Sequence, residues 1–167
     1  MGEKTFTWVD PKELSDSFLH LDSDDRKKFV LDHTMKPPIG ELMNFQGVEV
    51  DEEGSVTWIA SPQEYHYNPL GNVHGGFAAT LLDSCNSITA NCALDKGYGT
   101  MTAEIKVNYL RGISLDTGDM FAKGKIEKLG RRVIFVSGKL TDSNGTLYAT
   151  ATSTELVVEI KDRKSVV

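Results

Sequence analysis

Asn68, His74, Gly75, Gly76 and Asp83 fall within a single short stretch, Asn68-Pro-Leu-Gly-Asn-Val-His74-Gly75-Gly76-Phe-Ala-Ala-Thr-Leu-Leu-Asp83. Two glycines opening a helical run leave backbone N–H groups unpaired and unshielded by side chains, with the positive end of the helix dipole behind them. Such a site holds an anion, and a preorganised N–H aimed at a developing oxyanion commonly lowers a barrier by ~3 kcal/mol. Gly75 N–H is the candidate donor. The competing reading is that the two glycines only permit a tight turn or close helix packing.

Asp83 is the candidate base or nucleophile. A lone acid in a helix usually faces solvent or caps an end. Asp83 is not terminal, and its face of the helix carries no other charge. Between Gly76 and Leu94, Phe77, Leu81, Cys85, Ile88 and Cys92 fall on one side at helical spacing, and Gly76, Ala79, Thr80, Asp83, Asn86, Ser87 and Ala90 on the other. A polar face without Lys, Arg or Glu is expected to be covered. Gly75 and Asp83 are eight residues apart, so on one helix their Cα atoms differ by ~12 Å along the axis. If both act on one bond, Asp83 must come from a second, antiparallel copy of the chain, which gives two composite sites per two-fold dimer.

The elements around this helix follow from pattern. Asp10 to Met35 reads as one or two amphipathic helices, broken around Leu21-Asp22-Ser23-Asp24 and starting at Asp10-Pro11. Pro37-Pro38 ends that extension. LMNFQGVEV and SVTWIA flank Asp51-Glu52-Glu53-Gly54 as a hairpin. A loop runs from Ser61 to Val73. After the helix, Met101, Ala103, Ile105, Val107 and Tyr109 alternate with Thr102, Glu104, Lys106 and Asn108, a half-buried strand that puts Thr102 on the polar side. Strands over Asp119–Leu129, Arg132–Asp142 and Leu147–Ile160 read as a meander, with Ser143-Asn144-Gly145 as a hairpin turn. No βαβ alternation follows the helix, so the class is α+β, an antiparallel sheet packed on one helix. The expected division is an N-terminal helical extension over 1–36, the main domain over 37–160 and a tail over 161–167.

The stretch from Asn68 to Asp83 closely resembles the signature of the PaaI-type hotdog thioesterases, in which an Asn, an HGG turn and an Asp nine residues after the His recur. Asn108-Tyr109-Leu110 and Gly130-Arg131-Arg132 are also similar to that family's pattern, and the resemblance covers roughly Ile39 to Val158. It implies a hotdog fold, an antiparallel sheet wrapped around one long central helix. It also implies hydrolysis of an acyl-CoA thioester by a homodimer, or a tetramer built from two dimers, without metal or cofactor. Asp83 would be general base or nucleophile and Gly75 N–H the oxyanion donor. Asn68 would position the water or the thioester, His74 would orient the loop or the carbonyl, and Thr102 would set a hydroxyl near the carboxylate. Each has a plainer alternative: a turn-building Asn, a satisfied loop His, an ordinary β-forming Thr.

Coenzyme A carries phosphates, and Lys123, Lys125, Lys128, Arg131 and Arg132 form a local basic excess. Lys123 and Lys125 alternate on an outward face and read as solvated. Lys128, Arg131 and Arg132, with Arg111 after a strand, are the candidate phosphate ligands. Pocket walls are expected from Phe77, Leu81 and the loop near Tyr65 and Tyr67, and the N-terminal helices either cover that pocket or extend an interface.

Composition narrows the partners. The 167 residues suit one core, and a net charge of -6 argues against nucleic acid. No apolar run approaches the ~20 residues of a membrane span, and the N-terminus lacks a signal peptide's apolar core, so a soluble, cytoplasmic protein is expected. Cys85 and Cys92 are too far apart on a helix for a disulfide and read as buried small hydrophobes. No nucleotide-binding glycine motif is present. Two other readings of the hotdog pattern stay open: a dehydratase or hydratase acting on acyl thioesters, and a non-catalytic acyl-CoA-binding module.

Overall fold

The computed structural model describes residues 2–32 and 37–160; the expected boundary at residue 36 and the tail over 161–167 lie outside the described residues. Helices α1 (Pro11–Leu19) and α2 (Ser23–Leu31) form the extension, followed by α3 (Pro38–Leu42). Strands β1 (Phe45–Val50) and β2 (Val56–Ala60) precede the long helix α4 (Gly75–Asn91). Then come β3 (Tyr98–Tyr109), β4 (Met120–Leu129), β5 (Val133–Asp142) and β6 (Leu147–Glu159). All six strands form one antiparallel sheet in the order β1-β2-β4-β5-β6-β3, with α4 packed against it, so the architecture is the expected α+β hotdog arrangement.

Local chemistry accounts for the element ends. Asp10 caps α1 by accepting from the Lys12 and Glu13 amides, with Pro11 at the first helical position, and Asp22 caps α2 through the Asp25 amide. The break between α1 and α2 falls where the sequence placed it. Residues 38–42 form a short helix that the sequence pattern did not place, because Pro37 and Pro38 set a helical first turn, and β1 starts at Phe45 instead of at Leu42.

The helix lies very close to the sheet. A Cβ on Gly124 of β4 would meet the Cys85 main-chain oxygen at 2.7 Å, and one on Gly138 of β5 would meet Asn86 Oδ1 at 2.7 Å. Glycine at these two positions is what admits α4 to its bed. The same contact corrects the helical sorting: Asn86 and Ala90, assigned to the polar face, are fully buried, and Asn86 Nδ2 donates to Ser153 Oγ at 3.2 Å. A stripe wider than the apolar residues alone faces the sheet, because small side chains pack closest. Phe77, Leu81 and Cys85 join the main core with Trp58, Met120 and Leu140, and Cys92 is buried as expected.

Strand β3 departs from simple alternation. Its pairing with β6 shifts between Thr102 and Glu104, a bulge at Ala103 that reverses the side-chain parity. Thr102 therefore shares the inner face with Ile105 and Val107, which pack on the core, in contrast to the opposite faces expected for them. β3 is also an edge of the sheet, with Met101 and Tyr109 more than half exposed.

Candidate active site

At the N-terminus of α4, His74 is the capping residue: its Nδ1 accepts from the Gly76 amide at 2.8 Å, and its carbonyl accepts from the Phe77 amide at 2.9 Å. A Cβ on Gly76 would lie 2.8 Å from that same Nδ1, so the second glycine is what lets the imidazole close over the turn. The Gly75 amide has no acceptor among the described residues. It sits under the ring of Tyr109, which a Cβ on Gly75 would meet at 3.2 Å. A cleft of about 340 Å³ opens here, lined by His74, Gly75, Tyr109, Arg111 and Tyr148.

A second cleft, of about 430 Å³, lies on the other side of the same helix end, lined by Tyr65, His66, Tyr67, Asn68, His74, Phe77 and Thr80. Phe77, Tyr65 and Tyr67 thus stand where pocket walls were expected, whereas Leu81 is fully buried in the core. Asn68 builds the turn: its Oδ1 accepts from the Leu70 amide at 2.9 Å and the Asn72 amide at 3.3 Å. Its side-chain NH₂ makes no bond among the described residues. Ahead of α1, Phe6 packs edge-on against Tyr65 with ring centroids 5.6 Å apart, so the extension reaches the rim of this cleft.

His66 was not singled out from the sequence. It is buried, its Nδ1 accepts from the Gln63 amide at 2.9 Å, and its Nε2 donates to the Leu42 carbonyl at 2.8 Å. Those partners fix a neutral tautomer, and burial lowers its pKa below the ordinary imidazole value, with the charge of Lys4 acting the same way. His66 ties α3 to the loop and accepts the His74 amide through its carbonyl at 2.8 Å, which sets the entry to α4.

Asp83 is half-buried, midway along α4. Thr102 of β3 lies on it, with Thr102 Oγ1 3.0 Å from Asp83 Oδ1 and 3.2 Å from Glu155 Oε2. Further along, Ser87 Oγ is 3.4 Å from Thr100 Oγ1, and Asn91 Nδ2 donates to Thr100 Oγ1 at 2.7 Å. Threonines of β3 therefore cover part of the polar helix face from within the same chain. Glu155 is fully buried on β6, and its Oε1 has no hydrogen-bond partner. Burial raises its pKa above the ordinary carboxyl range and the charge of Asp83 adds to this, with the hydroxyls of Ser153, Thr102 and Thr100 offsetting only part. The sequence held a signal for it: Ala149, Ala151, Ser153 and Glu155 are in phase along one strand, an acid on a row of inward small residues.

The basic candidates separate. Arg111 stands at the Gly75 cleft. Lys128, Arg131 and Arg132 are exposed around the β4–β5 turn, where the Arg132 carbonyl accepts from the Val157 amide at 3.0 Å. β6 runs from Ala149, beside the Gly75 cleft, to Val157, a span of about 26 Å at strand rise. Lys123 is paired with Asp51 at 2.8 Å. Within one protomer, Gly75 and Arg111 lie at one end and the 128–132 turn at the other, with Asp83 between.

A long helix bedded in a six-stranded antiparallel sheet, with a histidine-capped glycine pair at its start and a threonine-held carboxylate at its middle, defines a hotdog-fold protein. Residues 70–149 match the family model of the thioesterase superfamily. It is 28% identical over 97 residues to acyl-coenzyme A thioesterase 13 of Homo sapiens, covering 58% of this chain and 68% of the relative. Among solved structures, a phenylacetic acid degradation-related protein from Ralstonia eutropha JMP134 superposes with a TM-score of 0.68 at 26% identity, over 77% of this chain and 97% of that one. A Streptococcus mutans protein bound to acetyl CoA superposes with a TM-score of 0.62 at 25% identity, over 71% of this chain and 92% of that one. Among the described residues, no group of three or more His, Cys, Asp or Glu is placed to hold a metal ion, and no helix is long and apolar enough to cross a membrane.

Proposed function

We propose that this protein hydrolyses acyl-CoA thioesters to a carboxylic acid and coenzyme A, as a homodimer with two composite sites. The observation that carries the reading is the separation of Gly75 and Asp83 on one rigid helix. Gly75 offers a free amide at the N-terminus and Asp83 a threonine-oriented carboxylate eight residues on, ~12 Å away along the axis. A second copy running antiparallel brings its Asp83 opposite Gly75. The open edge of β3, with its unpaired backbone groups and exposed Met101 and Tyr109, offers the surface on which such a copy would pair. The same two-fold would carry Lys128, Arg131 and Arg132 toward the first copy's Arg111, collecting cations for the coenzyme A phosphates.

In this site the thioester oxygen accepts from Gly75 N–H, and Asp83 either takes the proton of an attacking water or attacks the carbonyl carbon itself. The C–S bond then breaks and coenzyme A leaves as a thiolate. On the general-base route it takes up the proton held by Asp83. On the nucleophilic route the mixed anhydride left on Asp83 is hydrolysed by water to the carboxylic acid and free Asp83. The NH₂ of Asn68 is the polar group left to orient the water or the carbonyl, and His74 acts by shaping the helix N-terminus. Acetyl CoA bound to the Streptococcus mutans relative and the thioesterase 13 relatives support the substrate class.

The test is thiol release from short, long, branched and aromatic acyl-CoAs by wild type and Asp83→Asn, with oligomeric state measured in parallel. Cys85 and Cys92 are fully buried, so the native protein gives a thiol dye little background. Turnover by a wild-type dimer, lost in a folded Asp83→Asn variant, is the expected result. Tight binding of acyl-CoA with no release from any member of the panel would instead make the protein an acyl-CoA-binding module.

A further inference from the structure

The hydroxyl of Thr102 stands between two carboxyl groups, 3.0 Å from Asp83 Oδ1 and 3.2 Å from Glu155 Oε2, and it carries one hydrogen. If both acids were ionised, one of those contacts would set two oxygens together with no proton between them. A second hydrogen is therefore required, and it belongs on one of the carboxyls.

Burial decides which. Glu155 is 0% exposed and its Oε1 is without a partner, while Asp83 is only half-buried. An ionised Glu155 would place charge on a buried oxygen without a hydrogen-bond partner, with the nearby hydroxyls offsetting only part of the desolvation, which costs far more than an unpaired carbonyl oxygen of a neutral acid. The groups facing it are the Asp83 carboxylate from α4, the Thr100 and Thr102 hydroxyls from β3 and Ser153 on its own strand, with Ile134 as its cross-strand neighbour on β5. The charge among these is negative, and burial together with that charge favours the protonated form.

Building on the thioester hydrolysis proposed above, we infer that Glu155 is a positioning residue, a buried carboxylic acid that donates through Oε2 to Thr102, whose own hydrogen is thereby aimed at Asp83. The chain Glu155–Thr102–Asp83 has a direction. Asp83 Oδ1 is occupied by the threonine hydrogen, and Oδ2, which has no partner among the described residues, is left for the reacting water or thioester. At alkaline pH the proton on Glu155 is lost, Thr102 is pulled between two anions, and the aim fails.

The experiment compares kcat and KM across pH for wild type, Glu155→Leu, Glu155→Gln and Thr102→Val, and follows the side-chain carboxyl resonance of Glu155 by carbon NMR in the wild type. Loss of one orienting hydrogen bond in Glu155→Leu lowers kcat about tenfold with KM unmoved. Glu155→Gln, which still donates to Thr102, recovers most of that loss and lacks the alkaline fall of the wild type. In a Thr102→Val background, Glu and Gln at 155 behave alike. A Glu155 resonance in the ionised position at neutral pH, or an alkaline limb unchanged in Glu155→Gln, overturns the inference. If wild type releases no thiol from any acyl-CoA, the hydrolase reading fails by itself, and the carbon resonance still decides where the proton lies.

Discussion

Arg26 donates through Nη1 to the main-chain oxygen of Asn91 at 2.8 Å, so a side chain of the N-terminal extension closes the C-terminal end of α4. The same guanidinium reaches the carbonyls of Tyr98 at 2.8 Å and Leu19 at 3.0 Å, and Ser23 Oγ donates to the Cys92 carbonyl at 2.7 Å. α4 has no basic residue in its last turn. Its terminal carbonyls and the negative end of its dipole are met instead by a fully buried cation from α2. The extension is thus fastened to the helix that carries Asp83, at the end opposite Gly75.

Replacing Arg26 by Ala is expected to destabilise the fold by about 3 kcal/mol, because several buried carbonyls lose a charged donor together. Urea unfolding of the variant beside an exposed control, Lys12→Ala, checks this. An unchanged midpoint would mean that the extension does not hold α4.

Gly124→Ala is expected to be among the most damaging single-methyl changes in the chain. The added Cβ meets main chain, the Cys85 oxygen at 2.7 Å, and α4 cannot yield without leaving the sheet. A loss of about 2 kcal/mol or more, read from thermal or urea unfolding, is the expected outcome. Wild-type stability would refute the close approach.

The two site glycines are expected to respond differently. Gly76→Ala pushes into His74 Nδ1 and removes the cap, costing about 1 kcal/mol of stability and lowering thiol release. Gly75→Ala meets the ring of Tyr109, a largely exposed side chain that can turn aside. Its defect should therefore be relieved in Gly75→Ala/Tyr109→Ala, and no such rescue is expected for Gly76→Ala.

Glu155 gives a pH dependence with a definite sign. Its pKa in the fold is raised by burial above that of the unfolded chain, about 4.3. Between the two values the folded state holds a proton that the unfolded state has lost. This group's contribution is complete below the unfolded pKa and declines as pH rises through the folded one, by at most about 1.4 kcal/mol per pH unit. Glu155→Gln removes that dependence, so the variant gains on wild type as pH rises. Urea midpoints of the two proteins over a pH series measure it, and a constant difference would contradict the raised value.

The local features were legible because near neighbours in sequence dictate them. The helix starts at Asp10 and His74, the break after α1, the hairpin turn at Gly145 and the strand spans of β4, β5 and β6 follow from caps, prolines and period, each acting over a few residues. The spacing from Gly75 to Asp83 also follows from sequence, since a helix has a fixed rise. Period alone missed the helix at Pro38–Leu42, where a local turn preference prevailed over apolar content.

What only the tertiary structure decided depends on contacts between distant residues. The bulge in β3 reverses the side of Thr102 because pairing with β6 sets it, and no local pattern encodes that register. Asn86 is buried because Gly138, far along the chain, leaves room for it. Arg26 and Glu155 are charged residue types that composition assigns to the surface. One is buried by the carbonyls of a helix end and the other by a hydroxyl from a neighbouring strand, and such partners exist only once the chain has closed on itself.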